Sequence, residues 1–325
     1  MNDFKKPQAP EPVQDTNQTG RPKRHKIDWL GAMPYLWVHL MALCVLWVGF
    51  SWTALVVCLF LYALRMFAIT AFYHRYFSHR TFRTSRVCQF FFAALGCTAL
   101  QQGPLWWAAH HRHHHKHSDD CEDMHSPKQV GFWWSHWGWF LAPDAAPTNW
   151  KLVPDLAKFP ELRWLDRYHY VPAIVLAAIL LITGTLFAAY FPHWQTNGWQ
   201  LLMWGFLSTV AVYHATYLVN SVSHVVGRRR YQTKDDSRNN FWVAILTFGE
   251  GWHNNHHHYP NSVRQGFFWW EIDMAYYLLK AMSWLGLVWD LRPVAPHMLH
   301  RNLASSQHSQ QNQEAQADAS YQVKI

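Results

Sequence analysis

The sequence predicts an all-α membrane protein, with four transmembrane helices carrying a substantial water-facing part. Three observations predict it. Half of the 325 residues are hydrophobic and only 15% are charged, a low charge share for a soluble protein. Four apolar runs approach the roughly twenty residues that cross a bilayer. Aromatic residues make up 17% of the chain, including 21 Trp, and Trp and Tyr gather where lipid meets water.

Residues 1–28 are rich in Pro, Gln, Lys and Arg with almost nothing apolar, which predicts a disordered tail. The first apolar run starts only after them, too late for a cleavable signal peptide. The predicted spans are 29–50, then 52–73 after a minimal turn, then 170–191 and 199–219. One domain therefore occupies 29–294, followed by a polar C-terminal tail over 295–325 that is rich in Gln, Ala and Ser. His39 and Arg65 fall inside spans, where ionisable groups are expensive, and are expected to face the bundle or to snorkel. Residues 90–105 are apolar but short, which suits an interfacial or re-entrant helix. Residues 267–289 mix aromatics with Glu271, Asp273 and Lys280 and are expected to form an interfacial amphipathic helix.

Orientation follows from the cations. The short loops at 49–51 and 192–198 hold no Lys or Arg, whereas the other side carries Lys23, Arg24, Lys26, Arg75, Arg80, Arg83, Arg86, Arg228, Arg229, Arg230 and Lys234. The positive-inside rule makes that side cytoplasmic, together with both termini. The formal charge of +8 does not point to nucleic acid, because the basic residues flank apolar spans. Five Cys, an odd number without zinc-type pair spacing, read as free thiols in a reducing setting.

The 23 His are the outlier, and four groups of them lie on the cytoplasmic side. They are His74 and His79 in HRYFSH, the run His110 to His117, His224 in NSVSH, and His253 to His258 in HNNHHH. Imidazole is the commonest metal-binding side chain, and clustered nitrogen donors suit iron, copper or zinc. At about 100° per residue, helix positions i, i+3 and i+4 share a face. His111, His114 and His115 satisfy this, and so do His253, His256 and His257. His113, His117 and His258 then read as surface histidines, and His110, at the edge of the face, as a group supporting a ligand. His74 and His79, five apart, stand about 140° apart on a regular helix, so they share a metal only where the helix ends or distorts. His224 follows Asn220 at i, i+4 where the fourth span ends. Nine imidazoles, with Asn220 as a tenth or water-linked ligand, are too many for one metal and right for two. A structural zinc would need four ligands and usually takes Cys, and none of the five Cys lies in these motifs.

HRYFSH at 74–79, HRHHH at 111–115, NSVSH at 220–224 and GEGWHNNHH at 249–257 together resemble the membrane-bound fatty acid desaturases. Within that family they resemble the stearoyl-CoA and bacterial Δ9-type members. The likeness runs from about residue 30 to about residue 294 in motif order and span placement. It implies four transmembrane helices under a cytoplasmic helical cap, a histidine-rich di-iron centre, and a narrow bent tunnel for the acyl chain. By position, the irons would be held by His74, His79, His111, His114, His115, His224, His253, His256 and His257, with Asn220 acting through water. Glu250 stands where it either orients a ligand imidazole or is a plain surface carboxylate. Animal acyl-CoA members carry an Arg before the second box and a basic pair downstream, where this chain has Ala109 and Pro143-Asp144. Arg or Lys is the expected partner of phosphate, so the carrier is open between CoA and a phospholipid. The bacterial pattern HSP at 125–127 and GFWWSH at 131–136 occurs with either. No haem-binding carrier domain is recognisable in the sequence, so electrons are expected from a separate ferredoxin, rubredoxin or cytochrome b5 type protein.

The expected reaction removes two hydrogens from adjacent methylenes of a saturated long-chain acyl group, with O2 as co-substrate, leaving a cis double bond. A methylene has no acidic proton, so redox metal chemistry is required. The rival readings are a related di-iron hydroxylase or alkane monooxygenase, and a membrane metal-handling protein. Transport sites usually lie within the spans, whereas these clusters lie outside them.

Overall fold

In the computed structural model, residues 26–304 are described; the outer parts of the two predicted tails lie outside them. Among the described residues, three helices are long and apolar enough to cross a membrane: Trp52–Ser78, Val171–Tyr190 and Gly198–His224. The first predicted span is shorter than expected. It forms α1, Met33–Leu43, which breaks at Cys44 before a last turn at Val45–Val48. At 1.5 Å per residue this piece reaches about 24 Å, less than the roughly 30 Å hydrocarbon layer. Pro34 sits in its first turn and Gly49, at φ 79°, ends it, so the apolar run is longer than the helix inside it.

The next helix, α2, covers Trp52–Phe67 and is capped by Ser51, whose Oγ accepts from Ala54 N. It continues without a break as a wide helix over Ala68–Ser78 with i→i+5 bonding. Helix α3 is Arg86–Cys97 and α4 is Pro104–His117. They are separated by a bend in which Leu100 and Gln102 have positive φ. The segment 90–105, expected as an interfacial or re-entrant helix, is therefore most of α3, the bend and the start of α4. Helix α5 is Val171–Tyr190 and α6 is Gly198–Ser221. The α5–α6 corner is tight: a Cβ on Gly184 would stand 2.5 Å from Asn197 O, so only glycine admits this approach. Helix α6 packs against α1, α2 and α5, while α5 leaves Ile174, Val175, Ile179 and Ile182 exposed, as a lipid-facing helix would.

His39 and Arg65 both face the bundle. Arg65 is buried and donates to Gly205 O (3.1 Å), Ser208 Oγ (3.2 Å) and Thr209 Oγ1 (2.8 Å) on α6. His39 places Nδ1 2.9 Å from Tyr35 O and Nε2 3.3 Å from His214 Nε2, tying α1 to α6.

The remaining elements form a layer around the polar ends of α2 and α6. They include α7, His253–His258, and α8, Met274–Trp284, with a two-residue antiparallel pairing of β1, Arg83–Thr84, and β2, Val288–Trp289. The amphipathic helix expected over 267–289 is thus realised only as α8. Its upstream part is irregular because Glu271 and Asp273 are buried: Glu271 pairs with Arg230, and Asp273 pairs with Arg75 and caps Tyr276 N. Residues 295–304, read as tail, pack back here, Leu303 pairing with Tyr231.

Candidate metal centre

Each histidine group is delivered by a different backbone device. The wide helix has more residues per turn than an α-helix. It brings His74 and His79 to one side, with ring centroids 4.9 Å apart and His79 N donating to His74 O. This is the distortion that the five-residue spacing required. Helix α4 starts on Pro104, which needs no N–H at a first helical position, and carries His111, His114 and His115 on one face. Helix α7 does the same for His253, His256 and His257. His224 comes from a single tight turn, Val222–His224, that closes α6.

The nine imidazoles converge in two sets, in each of which the candidate ligand atoms lie within 4.8 Å of one another: His74, His79, His111, His115 and His256, and His114, His224, His253 and His257. Facing nitrogens stand close: His79 and His111 Nε2 at 2.8 Å, His256 and His115 at 2.9 Å, His74 and His256 at 3.0 Å, and His224 and His253 at 3.0 Å. Ligand nitrogens about 2.1 Å from one ion and at right angles stand about 3 Å apart, so the spacing fits a shared cation in each set.

Hydrogen bonding on the far side of the rings agrees. Asp123 accepts from His114 Nδ1 (3.0 Å), Asp119 from His224 Nδ1 (2.8 Å) and Asp235 from His257 Nδ1 (2.7 Å). Glu250 pairs with His74 Nδ1, and Gln265 Nε2 reaches the Nδ1 atoms of His74 (3.2 Å) and His256 (3.4 Å). A carboxylate on Nδ1 leaves the Nε2 lone pair turned inward, the usual outer partner of a metal-bound histidine. His257 Nε2 and His253 Nδ1 are buried without a hydrogen-bond partner among the described residues. The donor set is all nitrogen, and it fits transition metals.

Electrostatics keeps five of its rings neutral. Burial, and then the neighbouring imidazoles, hold His79, His111, His115, His253 and His256 well below the ordinary histidine value. Burial also opposes charge on His114, but Asp123 overcomes it and holds that ring above the ordinary value. Burial alone would raise the Asp123 and Asp235 carboxyls, yet His114, His125 and His257 draw them far below the carboxylate range. The five depressed histidines set a sign. Unfolded, they take up protons below about pH 6.5; folded, they do so only much lower. The unfolded chain therefore binds more protons in that window, and stability present at pH 7 is lost as pH falls. His114 works in the opposite sense, one ring against six once the depressed His257 is counted. Chelator-treated protein in detergent should show a lower Tm at pH 5.5 than at pH 7.5 by thermal unfolding. A rise would refute the neutral cluster.

The other expected residues fall as follows. Glu250 is buried and bonded to both His74 and Arg75, so it is not a surface carboxylate. Asn220 is in neither set. It lines a cavity, and its carbonyl accepts from Ser135 Oγ at 3.0 Å. His110 touches no ligand imidazole through hydrogen bonds. It packs on Trp106 and Trp139 and lines the same cavity, and burial, then His113, bring it down to about 4. His113, His117 and His258 bond to Glu122 O, Asp120 and Met298 O, away from both sets. Sequence reasoning missed Asp119, Asp123, Asp235 and Gln265. The run SDDCED directly after the second box was a usable signal for the first two.

The cavity, of about 550 Å³, lies within the roughly 300–1,000 Å³ range of small-molecule sites. One wall is His111 and Trp107, and aromatic side chains such as Tyr35, Trp139, Phe140 and Tyr213 line much of the rest. Gln101 donates to Thr216 Oγ1 (2.8 Å) across it. Among the described residues, Asp28 is the one Asp, Glu, Lys or Arg in the lining.

Comparison with known proteins agrees with this geometry. Residues 50–289 match the family model described as fatty acid desaturase. The chain is 38% identical over 268 residues to an sn-2 palmitoyl-lipid 9-desaturase of Nostoc sp. (strain 36), covering 81% of this chain and 89% of the relative. It is 36% identical over 292 residues to Delta-9 acyl-lipid desaturase 1 of Arabidopsis thaliana, covering 86% and 90%. It is 37% identical over 261 residues to an acyl-CoA C20 Delta5-desaturase of Anemone leveillei, covering 79% and 78%.

Proposed function

This chain belongs to the fatty acid desaturase family, and from that premise we propose that it is a di-iron acyl-lipid desaturase that uses O2 to place a cis double bond at Δ9. The observation that carries this reading is the pair of imidazole sets, one of which reaches the wall of an aromatic-lined cavity through His111. The nine histidines would hold two irons. When bound, these supply with O2 the oxidising power to take two hydrogens from neighbouring methylenes. Iron is favoured over zinc because the reaction is a redox one and the donors are nitrogen without sulfur.

The protein's own part is placement and exclusion. Asp119, Asp123, Asp235 and Glu250 fix the rings by their Nδ1 atoms, so each Nε2 stays aimed inward. Trp107 and His111 bring the cavity to the centre, and its aromatic walls keep water from a reacting chain. Distance along the cavity selects the carbons, which is control by position. The catalytic unit is 29–294, a multi-pass membrane domain in which the short Met33–Val48 piece crosses along with the three long helices, leaving the centre and both termini cytoplasmic. That orientation is supported by the cation-free short loops.

A lipid carrier is favoured over CoA by the cavity lining. A CoA ester brings several phosphate charges that call for Arg or Lys, and among the described residues the lining offers only Asp28. Expression in a strain unable to make unsaturated fatty acids should restore growth and yield a double bond located at Δ9 by derivatisation. In a pulse of labelled stearate, label should enter phospholipid as the saturated chain before it becomes unsaturated. Alcohol in place of alkene, or stoichiometric zinc without iron in the purified protein, would overturn the reading.

A further inference from the structure

Three consecutive arginines, Arg228, Arg229 and Arg230, follow the last long helix and have no task in the chemistry above. They wall a second cleft, of about 300 Å³, that shares no lining residue with the acyl cavity and is completed by Phe268, Trp270 and His300 among others. The surplus charge here is positive. Arg230 pairs with Glu271 and lies over Phe268 at 4.6 Å. Arg229 shares Asp236 with Lys128. Arg228, and Arg301 next to His300, are exposed and form no ion pair among the described residues.

The wall of this cleft is joined to the metal-site helix. The backbone N–H groups of Arg230 and Tyr231 both donate to Asn254 Oδ1, at 2.8 and 2.7 Å, and Asn254 lies in α7 between His253 and His256. The Tyr231 ring stacks on His258, with centroids 3.9 Å apart and an 8° tilt, and His258 adjoins His257. An exposed cationic surface thus sits one bonded layer from three of the nine imidazoles.

We propose that this cleft docks an acidic one-electron carrier protein of the iron–sulfur or haem class. The inference rests on the desaturase reading. Making one double bond removes two hydrogens from the chain, and one O2 is reduced to two waters. The chain supplies two of the four electrons and two of the four protons; the carrier supplies two electrons in two deliveries, and solvent supplies two protons. Carboxylates on the carrier meet Arg228, Arg229 and Arg301, and complementary charge of this kind sets encounter rate and register. The position directly behind α7 favours a protein that must pass electrons over one that only anchors a lipid.

The test uses full-length, iron-loaded protein in phosphatidylcholine vesicles. Desaturation is driven either by a reduced acidic [2Fe–2S] ferredoxin or by reduced methyl viologen, and the ratio of the two rates is read. Arg228→Glu with Arg301→Glu should lower the ratio by about tenfold or more, mainly through a higher KM for ferredoxin. Raising salt from about 50 to about 300 mM should lower it in the native protein, as screening demands. Arg83→Glu, a reversal at an exposed cation elsewhere, should leave it unchanged. Three outcomes overturn the proposal: an unmoved ratio; an effect seen only while residues 305–325 are present, which makes that tail the occupant; and an equal loss with both reductants that anionic lipid repairs. If neither reductant supports turnover in native protein, the desaturase reading fails and the docking site with it.

Discussion

Alanine at position 256 is expected to remove desaturation to background and to release metal. His256 Nε2 lies 3.0 Å from His74 Nε2 and 2.9 Å from His115 Nε2, so it sits at the middle of the five-imidazole set. Replacing a group that merely supports a ligand costs about 10–100-fold in affinity or activity, and loss of a central ligand should exceed the upper end of that range. Elemental analysis of the purified variant should fall from about two irons per chain toward one. His117→Ala is the matched control, because His117 bonds to Asp120 and belongs to neither set. Its iron content and product yield should equal those of the native protein. If His256→Ala kept both irons, the assignment of the sets would be wrong.

The second large effect concerns a cation that touches no ligand nitrogen. Arg75 is buried between Glu250 and Asp273, donating to Glu250 Oε1 (3.2 Å), Asp273 Oδ2 (3.0 Å) and Val263 O (2.8 Å). Methionine there would fill much of the volume and leave two carboxylates buried without their counter-charge. Removing one partner of a single buried pair destabilises by about 3–5 kcal/mol, and here two pairs share the guanidinium. Folded proteins hold only about 5–15 kcal/mol in reserve. Arg75→Met should therefore show little folded protein, or a Tm lowered by many degrees in detergent. Arg75→Lys should fall between, since one ammonium cannot reproduce the planar fork. A double variant, Arg75→Met with Asp273→Asn, should recover part of the loss by removing one of the stranded charges. A native-like Tm for Arg75→Met alone would show that the network does not hold Glu250 in place.

What the sequence made legible was periodic or local. Hydropathy marked the three long helices, and the i, i+3, i+4 rule chose His111, His114 and His115 over His113, and His253, His256 and His257 over His258; the rings gather in that way. Two things were not legible, for physical reasons. Apart from Glu250, which the sequence already offered as a group orienting a ligand ring, the carboxylates behind the rings come from loops at 119–123 and 235. Their pairing is set by tertiary packing rather than by spacing. The helix over 267–289 failed because Glu271 and Asp273 looked like a polar face. They are instead the buried partners of Arg230 and Arg75, and hydropathy alone cannot tell a solvated carboxylate from a paired one.

The wide helix at Ala68–Ser78 limits how this chemistry can be transplanted. Copying only His74 and His79 onto an ordinary scaffold rod would aim the two rings about 140° apart, and no choice of rotamer closes such a gap. The smallest portable cassette is the whole overwide stretch with its exit turn, including Ser78, whose hydroxyl donates to Tyr73 O, and Thr81, which folds back onto Arg75 O. A designer borrowing this centre would have to graft the winding first and the donors second.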